Sequence, residues 1–596
     1  MINKNVEALR SLMNERGIDA YIIPTADFHE SEYVGEYFEA RKFISGFTGS
    51  AGIVVITKDV AGLWTDGRYF IQAANEIKGT CFKLFPMGEE GVPTIKEFLK
   101  DAVKENGCIG FDGRVMNTRY VEDIENTLEG KNVTIKYQED LVDLIWGNRP
   151  EISKKPAFLL PVKYAGKEAV DKLKDLRNVM EEKNADVHIL TSLDDIAWLF
   201  NIRGNDVQCN PVVLSYAIVK KDTATLYVDK TVLNDEIVKY LTAADVTIKD
   251  YNDIYEDVKK ISADATVLLD TNKVNYTLTK TLPEGIKIIS EMNPTTFAKA
   301  IKNSVEIENL RKAHIKDGVA FTKFMYWLKN NIGKTKITEI SASDYLENCR
   351  RAQDGFIELS FPTIAGYKAN AAMMHYSATE DTAAELKEEG LLLVDSGGQY
   401  FEGTTDITRT MALGPISDKL KLHFTTVTRS MLNLANAKFL YGCRGMNLDI
   451  LARGPLWELG IDYKCGTGHG VGYLLNVHEA PNGFRWRIVP ERNDSCVFEE
   501  GMVTTDEPGV YIEGSHGIRI ENELVCRKAE KNEYGQFMDF ETITYAPIDL
   551  DAIDPSLMSK KEIEMLNKYH AMVYEKISPY MTEEENIWLK KYTRSI

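Results

Sequence analysis

Five side chains of metal-binding type follow one another through the last third of this 596-residue chain: Asp395, Asp406, His469, Glu507 and Glu521. Four carboxylates drawn into one pocket repel one another and resist burial unless cations sit among them. Two divalent ions would supply that charge, so the set reads as a dinuclear metal site.

Local patterns suggest how each ligand is held. Leu391-Leu392-Leu393-Val394-Asp395 is an apolar run that ends in an acid and the turn Ser396-Gly397-Gly398, which delivers a carboxylate from a buried strand end. The segment from Gly403 to Thr410 reads as the returning strand, with Thr404, Asp406 and Thr408 on one face. A hairpin would bring the two aspartates together. A single Asp at such a place is ordinarily a turn cap; the buried strand context argues for more. His469 lies in Gly466-Thr467-Gly468-His469-Gly470-Val471-Gly472, read as a loop whose small residues leave room for a ligand or metal near the backbone. A nucleotide loop is excluded there, because no Lys-Ser/Thr pair follows and no strand–turn–helix unit surrounds it. Pro508-Gly509 fixes a turn after Glu507. Arg519, Glu521 and Glu523 alternate onto one face, either as a cross-strand ion pair or with Arg519 orienting a ligand carboxylate. His375 and His478 are further imidazoles able to donate a hydrogen bond or carry a proton.

The elements ahead of these residues repeat one pattern twice. Leu9 to Ile23 can be laid on Leu176 to Leu190, with Leu, Arg, Met, Glu, Asp and Ile coinciding, and Asp27 and Asp194 follow in step. In each copy an amphipathic helix precedes an apolar strand. Gly52 to Ile56 and Leu63 to Asp66 find counterparts in Val212 to Val219 and Leu226 to Asp229. Two copies at this spacing indicate a duplicated α/β domain and not a solenoid. Seams are expected at Pro150 to Pro161 and around Asn293-Pro294, giving domains at 1–154, 155–300 and 301–596. The third opens with a helix over Ile301 to Lys329, continues from about Ile357 as short strands broken by a helix over Leu420 to Leu440, and ends in a charged helical extension, Lys560 to Ile596. That tail is either packed down or a subunit contact.

Composition limits the partners. No window approaches the roughly 18 apolar residues a membrane helix needs, and a net charge of −19 without a Lys/Arg cluster argues against nucleic acid. Eight scattered cysteines with no C-x-x-C pair, and no apolar signal at the N-terminus, fit a reducing cytoplasm.

In order and surroundings these segments resemble the pita-bread metallopeptidase family, in which two Asp, one His and two Glu hold two metals. Gly46 to Gly52 and Trp64 to Phe70 in the first domain, with Gly466 to Gly472 and Asn476-Val477-His478-Glu479 in the third, extend the resemblance to its long, three-domain Xaa-Pro aminopeptidase branch. The resemblance implies two tandem creatinase-like α/β domains followed by an α+β pita-bread catalytic domain. It implies that Asp395 binds one metal, that Asp406 and Glu521 bridge both, and that His469 and Glu507 complete the other. The ions would be Mn2+, with Zn2+ or Co2+ as alternatives. A bridging hydroxide would attack the carbonyl before proline in peptides with an Xaa-Pro N-terminus. In that scheme Glu507 takes its proton, His375 stabilises the oxyanion or leaving group, and His478 relays protons. Arg519, Tyr511 and Cys465 would lie around the ligands and substrate, and a homodimer is expected.

One departure stands out: the family carries a histidine four positions before the metal-bound one, and here that place is Cys465. A thiol is a weaker donor and more apolar, so an altered pocket is expected and not a dead enzyme. A methionine aminopeptidase would not need two large N-terminal domains, and a prolidase typically has one. Creatinase-like enzymes and histone-chaperone relatives lack the complete ligand set.

Overall fold

The computed structural model describes residues 1–489 and 494–596. It divides into two units: residues 1–161 with 167–295, and residues 162–166 with 296–596.

The first unit holds two sheets of one topology. Helix α1 (Ile2–Glu15) leads into β1 (Ala20–Pro24), followed by β2 (Ile53–Thr57), β3 (Ala61–Thr65), β4 (Phe82–Pro86), β5 (Cys108–Gly110) and β6 (Thr134–Lys136). Helix α2 (Ala169–Glu182) leads into β7 (Val187–Leu190), then β8 (Ser215–Lys220), β9 (Ala224–Val228), β10 (Val246–Lys249), β11 (Thr266–Leu269) and β12 (Lys287–Ser290). The spatial orders, β4-β3-β2-β1-β5-β6 and β10-β9-β8-β7-β11-β12, are the same arrangement twice. The repeated positions are core positions: Leu9 and Met13 of α1, like Leu176 and Met180 of α2, are buried. β1 and β7 are buried at every residue, as expected of strands lying inside a sheet covered on both faces.

The copies diverge at their connections. Asp27 follows β1 in a loop and accepts the N–H groups of His29 and Ser31, whereas Asp194 sits in the first turn of the helix Leu193–Phe200. β8 begins only at Ser215, so Val212 to Leu214 precede the strand. Pro294 is the first residue of a short helix, Pro294–Ala300, where a linker was expected; its fixed φ suits a first helical turn.

The second unit is built on α3 (Ser304–Asn331). It starts three residues later than its pattern predicts, because Asn303 caps the N–H groups of Val305 and Glu306 while Glu306 reaches back to Asn303. Beside it, β13 (Ile364–Tyr367), β14 (Leu391–Ser396) and β15 (Ile407–Ala412) form an antiparallel sheet. Helix α4 (Asp418–Ala435) is capped by Ser417 and ends five residues before the expected Leu440, since Lys438–Leu440 is already β16. After α5 (Gly445–Trp457) come β17 (Gly468–Gly470), β18 (Glu479–Phe484), β19 (Val503–Asp506), the hairpin β20 (Gly509–Ile512) and β21 (His516–Arg519), β22 (Asn522–Asn532) and β23 (Gly535–Thr542). The larger sheet has the order β16-β23-β22-β19-β17-β18.

The C-terminal extension is packed down. Leu566, Val573 and Ile577 of α6 (Lys560–Ile577) are fully buried in one core with Phe321, Phe324, Leu392, Phe424 and Leu524. The apolar stripe read as a candidate subunit contact is therefore an internal one.

Candidate metal centre

Strand ends from both sheets supply the site. β14 and β15 run antiparallel with Asp395 opposite Thr408, and Asp406 stands immediately before β15, so the expected pairing of the aspartates is present with a second small hairpin nested between them. His469 is the middle residue of β17, not a loop residue. Its glycine neighbours admit adjacent backbone and not a ligand: a Cβ on Gly468 would meet the Thr505 carbonyl at 1.9 Å, and one on Gly470 the Glu479 carbonyl at 2.2 Å. Glu507 follows β19 directly, and its N–H donates to the Thr467 carbonyl at 2.8 Å. Glu521 lies between β21 and β22.

These residues converge. One donor atom from each of Asp406, His469 and Glu521 lies within 4.8 Å of the other two. His469 Nε2 is 3.4 Å from Asp406 Oδ2 and 3.3 Å from Glu507 Oε1. His469 Nδ1 lies 2.9 Å from the Gly470 carbonyl, which can only accept, so in the neutral ring Nδ1 carries the proton. The Nε2 lone pair then faces carboxylate oxygens, an arrangement of acceptors that a cation resolves.

Burial makes the acids' predicament sharper. Asp395, Asp406 and Glu521 are 8%, 4% and 1% exposed. Burial first, then the neighbouring carboxylates, pushes the Asp406 and Glu521 carboxyls well above the ordinary range. Asp395 Oδ1 and Asp406 Oδ1 are buried without a hydrogen-bond partner among the described residues. Oxygens left open, repulsion among acids and a nitrogen lone pair aimed at them all fit a pair of divalent cations, and the oxygen-rich donor set suits Mn2+ chemically.

The surrounding groups hold these side chains in place. Thr408 Oγ1 donates to Glu521 Oε2 at 2.7 Å, and Thr505 Oγ1 donates to Glu507 Oε1 at 3.0 Å. Arg519 bonds Asp395 Oδ2, and its Nη1 donates to the Tyr511 hydroxyl at 2.7 Å. Arg519 thus makes an ion pair between β21 and β14 that also orients the Asp395 carboxylate, so the two readings of this residue meet in one contact. His478 packs edge to face on His469, ring centres 4.3 Å apart. The adjacent Glu479 turns away to the buried Lys302, which keeps its charge off the cluster. His375 is half-buried beside Met374, whose carbonyl accepts from Arg519 Nη2 at 3.4 Å. Burial and the Glu507 charge push the Cys465 thiol up to about 11, so it is neutral near pH 7.

Two contacts were not anticipated. Glu523 Oε1 accepts the Asp406 N–H at 2.7 Å, and Glu523 Oε2 lies 3.2 Å from His314 Nε2 on α3. Nothing in the apolar pattern of α3 marks His314, since its partner lies more than 200 residues away in the chain.

Comparison with known proteins agrees with this geometry. Residues 5–144 and 148–306 each match the creatinase/prolidase N-terminal domain, residues 308–528 match metallopeptidase family M24, and residues 536–596 match the C-terminal region of that peptidase. The chain is 38% identical over its whole length to a probable Xaa-Pro aminopeptidase P of Paracoccidioides brasiliensis, covering 99% of that protein. It is 40% identical to a probable Xaa-Pro aminopeptidase P of Sordaria macrospora, over 98% of both chains. The crystal structure of the Caenorhabditis elegans X-prolyl aminopeptidase, described as a cytosolic enzyme with a di-nuclear active site, superposes with a TM-score of 0.95 at 32% identity over 100% of both chains. Two creatinase-like N-terminal domains, a pita-bread catalytic domain and these relatives place the chain in the Xaa-Pro aminopeptidase branch of metallopeptidase family M24.

Proposed function

We propose that this enzyme releases the first residue from peptides with proline in second position, using two divalent cations held by Asp395, Asp406, His469, Glu507 and Glu521. The observation that carries the proposal is the buried Asp406, His469 and Glu521 cluster, with donor atoms within 4.8 Å and acids too close to share a site without cations. When bound, the two ions would polarise the scissile carbonyl and lower the pKa of a bridging water, the nucleophile of two-metal hydrolysis. Asp406 and Glu521 would be shared between the ions, with Asp395 completing the set for one and His469 with Glu507 for the other.

The chain's own groups do the rest. Arg519, tied to Tyr511, fixes the angle of the Asp395 carboxylate. Glu507, held by Thr505, accepts the proton of the attacking water. His375 donates to the developing oxyanion or leaving nitrogen, and His478, edge to face against His469, passes protons to and from solvent. Cys465 offers a neutral, weakly donating surface near Glu507.

Domain limits at 1–154, 155–300 and 301–596 remain our proposal, as do a cytoplasmic location and a homodimer. All eight cysteines are free, no helix among the described residues is long and apolar enough to cross a membrane, and the C. elegans relative is described as cytosolic. Support for a dimer comes from α5, where Met446, Ile450 and Trp457 are exposed and Trp457 contacts the exposed Trp486. Ile450→Glu with Trp457→Glu should turn a dimer into a monomer in light scattering; a monomeric parent protein would remove this part of the proposal.

Cleavage of matched Xaa-Pro-Xaa, Xaa-Ala-Xaa and Xaa-Pro peptides tests the specificity. The first alone should be turned over efficiently. Equal cleavage of the alanine peptide would refute proline selection, and preference for the dipeptide would make the enzyme a dipeptidase.

A further inference from the structure

Asp406 is central to the proposed centre's carboxylate cluster, yet the backbone that carries it is not fixed by a sheet partner at that residue. Its N–H donates instead to a side chain, Glu523 Oε1, at 2.7 Å. Glu523 is fully buried and is held at its own N–H by Thr544 Oγ1 at 2.8 Å. Its second oxygen lies 3.2 Å from Nε2 of His314, which is 2% exposed; both atoms are buried and neither makes a hydrogen bond among the described residues, so this close approach is what each has. One turn earlier on α3, Leu310 closes over Gly403, where a Cβ would come within 2.6 Å of it. The helix is thereby seated on the segment that leads into Asp406.

A buried N–H needs an acceptor, and any carbonyl would do. A glutamate at this place adds a charge to a pocket already crowded with acids, a costly choice unless its other oxygen has work of its own. That oxygen faces an imidazole nitrogen. We propose that His314 and Glu523 are a positioning pair for the dinuclear centre: His314 sets the Glu523 carboxylate, which sets the Asp406 peptide and so aims the Asp406 carboxylate at the two cations. Neither residue touches substrate; both act through Asp406. The proposal rests on the metallopeptidase reading of the same site.

Mn2+ binding to metal-free protein, followed by calorimetry and by the EPR signal of free Mn2+, tests the pair without any peptide. Loss of a group that orients a metal ligand typically costs about 10–100-fold in metal affinity. We expect His314→Phe and the near-isosteric Glu523→Gln each to weaken one of the two Mn2+ equivalents by about tenfold or more. His314→Gln, which keeps a donor toward Glu523, should restore most of the loss. In peptide assays at saturating Mn2+, kcat should fall while KM holds. A merely structural role would lower the melting temperature and leave Mn2+ affinity and kcat untouched. That result, or wild-type Mn2+ affinity in a folded Glu523→Gln, overturns the proposal. Should the parent protein bind two Mn2+ but fail to cleave Xaa-Pro peptides, the functional reading falls while the affinity comparison still decides the role of the pair.

Discussion

Asp257 and Asp406 are both aspartates in folded surroundings, and they sit in opposite electrostatic worlds. In the N-terminal unit, burial works against the Asp257 charge, but Lys249 at 2.6 Å, Lys260 at 2.9 Å and the Tyr227 hydroxyl at 3.0 Å pull its carboxyl down to about 2. Asp66 beside Arg68 and Asp140 beside Arg149 are likewise paired with side-chain cations. In the catalytic unit, burial and three neighbouring acids push Asp406 well up, and the Arg519 guanidinium is spent on Asp395. Acids supplied with side-chain cations hold the fold; acids packed together without them mark a place for ions the chain must acquire. Stability is the business of the first arrangement and chemistry of the second.

The sharpest way to break this contrast is Asp406→Asn. Removing the carboxylate charge that both cations would share should lower turnover by about a thousandfold or more and reduce bound metal from two ions per chain, with the circular dichroism spectrum unchanged. An active Asp406→Asn enzyme would show that the cluster is not the centre. Arg519→Gln is expected to cost less, about 10–100-fold in kcat/KM, because it frees Asp395 without removing it. Loss of fold without loss of specific activity in the remaining folded protein would instead class Arg519 with the structural ion pairs.

Cys465→His asks whether the departing position limits the reaction. Turnover on Xaa-Pro peptides should change by less than about tenfold, since no metal ligand is altered; a larger gain would make the thiol limiting. Asp257→Asn lies at the other pole. The folded carboxyl titrates below its unfolded value, so its stabilisation is complete above the unfolded pKa of about 3.9 and is lost as pH falls toward about 2. The variant should melt a few degrees lower at neutral pH, with that gap closing through this acid window, and turnover should be unaffected. A constant gap, or a loss of kcat, would erase the distinction between the two regions.

Much of this was legible in the sequence because its signals are local. The duplicated sheets show in the spacing of Leu9, Met13, Leu176 and Met180, each a core residue, and the residues of the proposed centre show in the short segments around them. What escaped was non-local. Gly468 and Gly470 looked like room for a ligand, and only the neighbouring strands reveal that they make room for the Thr505 and Glu479 carbonyls. The helix over Leu420 to Leu440 ran too long because apolar Phe439 belongs to β16, which a helical period accommodates equally well. The C-terminal stripe was apolar for an internal reason, as the burial of Leu566 and Val573 shows, while the exposed apolar face lies on α5. His314 and Glu523 meet only in the folded chain.

Metal content measured alongside activity tests the central claim most directly. Purified protein should hold about two equivalents of Mn2+ or another divalent ion per chain, as the two-metal template requires. Stripping them should abolish cleavage of an Xaa-Pro-Xaa peptide, and restoring two equivalents should bring it back. Full activity in protein shown to be metal-free would contradict the account.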